Sequence, residues 1–284
     1  DCPYCADMLV SLVHGSGNHK AASQILKESE EDVSDPMLRG RLLWARRVAS
    51  NGLDEVSSTP FTAEELPEAI GTLFVLNYVN RVSHVLMDGS PVGESLKNTS
   101  LRLFGYELRE TTGRSIQPGR GLDLLPKAPI PDDMDWARPN ARIADALARW
   151  SAAVDREAES AISPNVRQLV KDRLAVWNGE RMPLSRSWVE TEIKDLQGED
   201  YQVAKLILIV SKASYQFDDS LLKGVMGDKA DEKRLIRILS YAAMSAARRL
   251  ADLVSRRLHI IENGEVGTPE AQTPVRTKPE MANS

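Results

Sequence analysis

The sequence predicts an all-α fold. Apolar residues recur at helical spacing in nearly every segment, and helix-start and helix-stop residues bracket those segments. No period-two alternation bounded by hairpin turns occurs anywhere in the chain.

The first helix is expected over residues 6–14, where Met8, Leu9, Leu12 and Val13 are apolar and Gly15-Ser16-Gly17 supplies a stop. Amphipathic stretches follow at 19–28 and 38–49. The second starts behind Asp35-Pro36 and carries Leu42, Leu43, Trp44 and Val48. Thr62-Ala63-Glu64-Glu65 matches a capping box, in which the hydroxyl and the carboxylate satisfy backbone donors at a helix start. The helix it opens runs to about residue 86 and is mostly apolar, hence buried, with Pro67 early enough to be tolerated. A further helix is expected over 94–112, inside a Gly- and Pro-rich stretch, 87–135, that reads as an interdomain connection. Beyond it, 141–161 carries Ile143, Leu147, Trp150 and Val154 at helical spacing. Ser163-Pro164 opens a helix that Asn178-Gly179 closes, and 187–196, 200–217 and 231–261 complete the set. From residue 262 onward Pro269, Pro274 and Pro279 stand among few large apolar residues, the composition of a disordered tail. The chain thus divides into a helical domain at 1–112, a linker at 113–135, a second helical domain at 136–261 and a tail at 262–284.

Composition narrows the function. Of 284 residues, 42% are hydrophobic and 27% charged, which is ample for a core. Lys and Arg number 36 against 41 Asp and Glu, and a net charge of −5 without a basic stripe argues against a nucleic-acid partner. No apolar run approaches the ~18 residues of a membrane span, and the longest, 204–210, is interrupted by Lys205. Two cysteines allow neither a disulfide framework nor an all-cysteine zinc site. No basic and apolar leader opens the chain, so a cytoplasmic location is expected. The start at Asp1 rather than a methionine is read as a missing upstream segment. The Gly-rich stretch 113–121 lacks the G-K-[ST] ending of a phosphate loop, and no cofactor is expected. Trp44, Trp136, Trp150, Trp177 and Trp188 read as core or interface anchors. The pairs Arg46-Arg47, Arg248-Arg249 and Arg256-Arg257 read as solvated faces or inter-helix ion pairs.

Cys2-Pro3-Tyr4-Cys5 is the motif with an evident reaction behind it. Two thiols at i and i+3 in the first turn of a helix can close a short disulfide, and the helix dipole lowers a thiol pKa there. One sulfur attacks a peroxide or disulfide and the other resolves the product. The alternatives are two inert buried thiols, or half of a metal site with His14, nine residues past Cys5. A thioredoxin-like setting, as in glutaredoxins with the same C-P-Y-C, needs a strand before the motif and a βαβ pattern after it, and neither is present. On the long apolar helix, Asn77, Asn80, Arg81 and His84 stand at i, i+3, i+4 and i+7 and so share a face. That stripe is expected to face the thiols, with Arg81 supplying positive charge and His84 carrying a proton. The alternative is that Arg81 ties helices together and His84 is structural.

Cys2-Pro3-Tyr4-Cys5-Ala6-Asp7, the short helix ending His14-Gly15-Ser16-Gly17, and Asn77-Tyr78-Val79-Asn80-Arg81-Val82 together resemble the AhpD-like (alkyl hydroperoxidase D), carboxymuconolactone decarboxylase family. The resemblance covers residues 1–89. It implies a helical bundle, a thiol-dependent peroxidase or disulfide reductase with a redox-active disulfide, a hydroperoxide substrate, an external dithiol reductant and a homo-oligomer. Active members add a His four residues after the second Cys and an upstream Glu. Here that position is Leu9, and the Glu would lie before Asp1. A non-catalytic scaffold that has lost the relay is the competing expectation; decarboxylation rests on the family name alone.

An internal repeat extends the resemblance. Ala213-Ser214-Tyr215-Gln216-Phe217-Asp218 aligns with Cys2 through Asp7, and residues 245–252 align with 77–84, placing Arg249 opposite Arg81. The second copy has no thiol, and its spacing between the two motifs is shorter.

Overall fold

The computed structural model describes residues 2–50, 58–87, 101, 105–106, 117–226 and 231–262. Among them every regular element is a helix and no strand occurs, as the sequence predicts. The helices are α1 (Pro3–Gly15), α2 (His19–Leu26), α3 (Pro36–Ser50), α4 (Leu66–Leu86), α5 (Ala141–Glu159), α6 (Pro164–Ala175), α7 (Ser187–Glu192), α8 (Gly198–Ala213), α9 (Asp219–Met226) and α10 (Glu232–Glu262). Of the helix expected over 94–112, Leu101, Gly105 and Tyr106 are described and all three are helical; the tail from 263 onward lies outside the described residues.

Local signals set several boundaries. Thr62 and Glu65 form the expected reciprocal bonds, Thr62 N–H to Glu65 Oε2 at 3.0 Å and Glu65 N–H to Thr62 Oγ1 at 3.3 Å. Arg41 of α3 donates to the same carboxylate at 2.6 Å. The Thr62 backbone N–H, then Arg41, holds the Glu65 carboxyl below its ordinary range. Ser163 caps α6 by accepting from Val166 N–H, with Pro164 as the first helical residue. Gly17, at φ +87°, makes the left-handed turn between α1 and α2 that a side chain would strain.

Two apolar clusters hold the chain. The larger draws Trp44 from α3, Ile70 and Phe74 from α4, and many residues between Met134 and Leu258. Met134 and Ala137, in a 3₁₀ turn spanning Asp132–Ala137, are fully buried there. Helix α4 runs along α10, and α8 packs between α10 and α6. Leu206 through Val210 are buried on every side, so the longest apolar run is the middle of a core helix. Among the described residues no helix is long and apolar enough to cross a membrane. Phe74 and Tyr78 of α4 meet the Trp150 ring edge-on, with centroids 5.8 and 4.6 Å away. The smaller cluster joins Val10 of α1, Ala22 of α2 and Leu101. It carries the thiol-bearing hairpin, which also packs against α4.

Ion pairs tie the helices across the larger cluster. Arg248 of α10 reaches Asp133 at 2.7 Å and Asp155 at 3.3 Å. Lys212 of α8, almost wholly buried, donates to both carboxylate oxygens of Glu192 at 2.9 and 3.0 Å. Such pairs hold one geometry because leaving either partner alone would cost several kcal/mol, about 3–5.

Candidate functional site

The first turn of α1 is built around sulfur. Cys2, with extended backbone (φ −100°, ψ 106°), is the N-cap, and Pro3 fills the position where a missing N–H costs nothing. The Cys5 N–H donates to Cys2 Sγ at 3.3 Å, so a thiol stands where a Ser or Asp oxygen usually caps a helix. The two thiols share a hydrogen bond, with Cys2 Sγ and Cys5 Sγ 2.8 Å apart. A disulfide bond measures about 2.04 Å, so closure asks for about 0.8 Å of further approach. Both cysteines are reduced, and each is 6% exposed.

The second sulfur has another neighbour. It is Ser83 of α4, whose hydroxyl acts on the Cys5 thiol. Burial pushes the Cys5 thiol up to about 11, the Cys2 thiol adds to the rise, and the Ser83 bond opposes it. The expectation of an acidic, reachable thiol pair is therefore corrected for Cys5. The helix dipole acts there, but removal from water outweighs it, and at neutral pH Cys5 keeps its proton.

The other residues expected at the site separate. Arg81 donates from Nε to the Ser211 carbonyl at 3.0 Å, and from Nη1 to Asn77 O and Asn77 Oδ1 at 2.9 and 2.8 Å. Burial lowers its guanidinium to about 10, and among the described residues no carboxylate pairs with it. It lies on the side of α4 that carries Ile70 and Phe74 into the core. Ser83 is two residues on, about 200° round the helix. His84 is half-buried, which holds its imidazole below the ordinary pKa and so neutral. His14 is buried with its Nδ1 3.1 Å from His19 Nδ1. Among the described residues no group of three or more His, Cys, Asp and Glu side chains could hold a metal.

Ser83 is the residue that sequence reasoning missed. It interrupts no pattern: a single hydroxyl between Val82 and His84, outside the stripe of Asn77, Asn80, Arg81 and His84. Only the packing of α1 across α4 gives it a partner.

The comparisons bear on this geometry. The chain is 27% identical over 251 residues to a Mycobacterium tuberculosis protein named alkyl hydroperoxide reductase, an overlap covering 88% of this chain and 71% of the relative. That likeness agrees with the AhpD-like resemblance of the motifs. No protein-family model matches it, and no solved structure does. In this chain the thiol pair and the polar stripe of α4 sit on elements that pack together, but the Arg81 contacts run to Ser211 and Asn77. At the residues aligned with the thiol motif, the Gln216 amide donates to the Pro183 and Leu184 carbonyls, and Tyr215 Oη donates to Met182 O at 2.5 Å. Arg249, opposite Arg81 in that alignment, also ends on a carbonyl, Trp177 O, at 2.7 Å.

Proposed function

We propose that the chain is a thiol-dependent peroxidase in which Cys2 and Cys5 cycle between dithiol and disulfide. The observation that carries the reading is the 2.8 Å approach of the two sulfurs across the first turn of α1. The relative named alkyl hydroperoxide reductase supports the same class of chemistry.

Cys2 is the attacking sulfur in this reading. Its sulfur accepts the Cys5 N–H, a bond that strengthens when the acceptor is anionic, whereas Cys5 keeps its proton. The Cys2 thiolate attacks the distal oxygen of a hydroperoxide, the O–O bond breaks, and the alkoxide leaves with the proton of Cys5. The Cys5 thiolate then attacks the sulfur of the Cys2 sulfenic acid, the S–S bond forms and hydroxide leaves, taking up the proton that Cys2 gave to the solvent when it ionised. One peroxide becomes one alcohol and one water, and two thiols become one disulfide. An external dithiol returns the pair to the reduced state. Arg81 and His84 enter as supports of α4 rather than as reacting groups, since the Arg81 contacts run to Ser211 and Asn77.

A homo-oligomer belongs to the same reading, supported by Val75, Val79 and Leu86, which expose an apolar line on α4. Two divergent repeats belong to it too, supported by the matching carbonyl contacts of Arg81 and Arg249.

The burial of both sulfurs favours a second reading, a helical scaffold without turnover. Reduced protein treated with cumene hydroperoxide separates the two. A peroxidase consumes the hydroperoxide and loses two titratable thiols per chain; Cys2→Ser does neither, and Cys5→Ser stops at the Cys2 sulfenic acid without forming the disulfide. Peroxide loss no faster than in buffer, with both thiols intact, would leave the scaffold.

A further inference from the structure

We propose that the seam between α5 and α10 is a second ligand site, which takes a medium-chain aliphatic carboxylate with its head group on Lys233. The site is separate from the thiol pair, since no residue of α1 or α4 lines it.

The groove follows from the sequence of the two helices. Lys233, Ile236, Arg237 and Ser240 stand at i, i+3, i+4 and i+7, so they share one face of α10. Ala153, Val154 and Glu157 of α5 line the other side of the seam. Contacts at both ends hold the helices in place. Arg234 of α10 donates to Ala161 O, and Arg248 reaches Ser151 Oγ at 3.1 Å and Asp155 at 3.3 Å. Between these ties Ala153 and Ser240 are too small to fill the space. What remains is an open cavity of about 360 Å³, a size that suits a small molecule. Ile236 is 47% exposed along it, a large apolar side chain that the core does not take.

The lining selects the class of ligand. Its apolar part, Ala153, Val154 and Ile236, is aliphatic, with no aromatic ring to stack a planar group. Ser240 is the one uncharged polar side chain in it. Glu157 and Arg237 satisfy each other, the Arg237 Nε donating to Glu157 Oε2 at 2.7 Å. Lys233 is exposed and, among the described residues, makes no hydrogen bond and no ion pair. The groove therefore offers one unpaired cation beside an aliphatic surface. An alkyl tail takes that surface from water, and a carboxylate meets the ammonium. From Lys233 to Ser240 is about 10 Å of helix, the reach of a medium chain rather than a long one.

The test uses the full chain and three probes, octanoate, octanol and octylammonium, followed by saturation-transfer NMR. Octanoate binds saturably at about millimolar concentration, octanol about five-fold more weakly, and octylammonium more weakly still. Variants locate the site. Lys233→Glu, at an exposed position without partners, weakens octanoate about five-fold and leaves octanol unchanged. Lys223→Glu, the same charge change at an exposed position on α9, leaves both unchanged. Ser240→Leu fills the groove and removes both ligands, with circular dichroism and the urea midpoint reporting that the chain is folded.

Equal binding of the three probes, no saturable binding of octanoate, or octanoate binding that survives Lys233→Glu overturns the proposal. Hydroperoxide consumption is no part of the readout, so the peroxidase reading stands or falls separately.

Discussion

Arg81 Nε donates to the backbone carbonyl of Ser211 at 3.0 Å, joining the long helix near the thiols to the last turn of the core helix α8. The last four carbonyls of a helix have no donor within it, so the guanidinium supplies one from outside. Ser211 extends the link, its hydroxyl donating to Ala242 O of α10 at 3.0 Å. One arginine therefore sits where α4, α8 and α10 meet.

Replacing it tests that placement. Arg81→Ala removes the donor to the Ser211 carbonyl, and the cost expected is about 2–3 kcal/mol. The urea midpoint falls accordingly, while thiol chemistry in the folded fraction stays within a few-fold of the parent. A stable variant with no peroxide consumption would instead give Arg81 a place among the reacting groups.

Gly105 is the closest approach in the thiol hairpin. A Cβ there would lie 2.3 Å from Ser11 O and 2.9 Å from Gly15 N, both backbone atoms of α1 that cannot swing aside. Gly105→Ala is expected to push its helix off α1, at a cost of about 1–3 kcal/mol. Labelling by a disulfide reagent such as dithionitrobenzoate then speeds up at Cys2 and Cys5, because the cover over α1 has shifted. Unchanged labelling would show that this cover does not govern access.

Ser163→Ala removes the cap of α6, whose hydroxyl accepts from Val166 N–H at 3.3 Å. The loss expected is about 1 kcal/mol, read as a lower urea midpoint with an unchanged slope. Ser163→Asp keeps an acceptor at the same place and restores most of it.

The pH behaviour of Cys5 follows from its raised pKa, about 11 against an ordinary 9.0. A group that holds its proton more tightly when folded stabilises the fold fully below its unfolded pKa. That contribution is lost as the pH climbs through the folded one. Between pH 9 and 11 the native state therefore loses the advantage of a protonated Cys5, and the stability gap between the parent and Cys5→Ser narrows. Alkylation of Cys5 in the folded chain rises about ten-fold per pH unit from pH 8 to 10 without levelling off. A plateau below pH 9 would mean a thiol far more acidic than its buried setting allows.

The sequence is most legible where the governing contacts are local. The Thr62–Glu65 box, the Ser163 cap and the Gly17 turn are settled within four residues of chain, and each forms as expected. The all-helical class followed from the same short-range periodicity. What could not be read is tertiary. The helix expected over 200–217 stops at Ala213 and tightens into a 3₁₀ turn at Ser214–Gln216, where the Gln216 side chain reaches Pro183 and Leu184 and Tyr215 reaches Met182. The acidity expected of the thiols came from a dipole within one helix, whereas burial by the surrounding chain decides Cys5. Arg81 and Ser83 are two residues apart, and nothing in that spacing says which one meets sulfur.

The thiol hairpin rests on its own small cluster of Val10, Ala22 and Leu101, apart from the one that unites α3 through α10. Its amides are thus expected to exchange with solvent deuterium sooner than those of α8, through a partial opening that spares the larger core. Sulfur atoms shut away in the ground state would meet a peroxide in that brief excursion, without global melting.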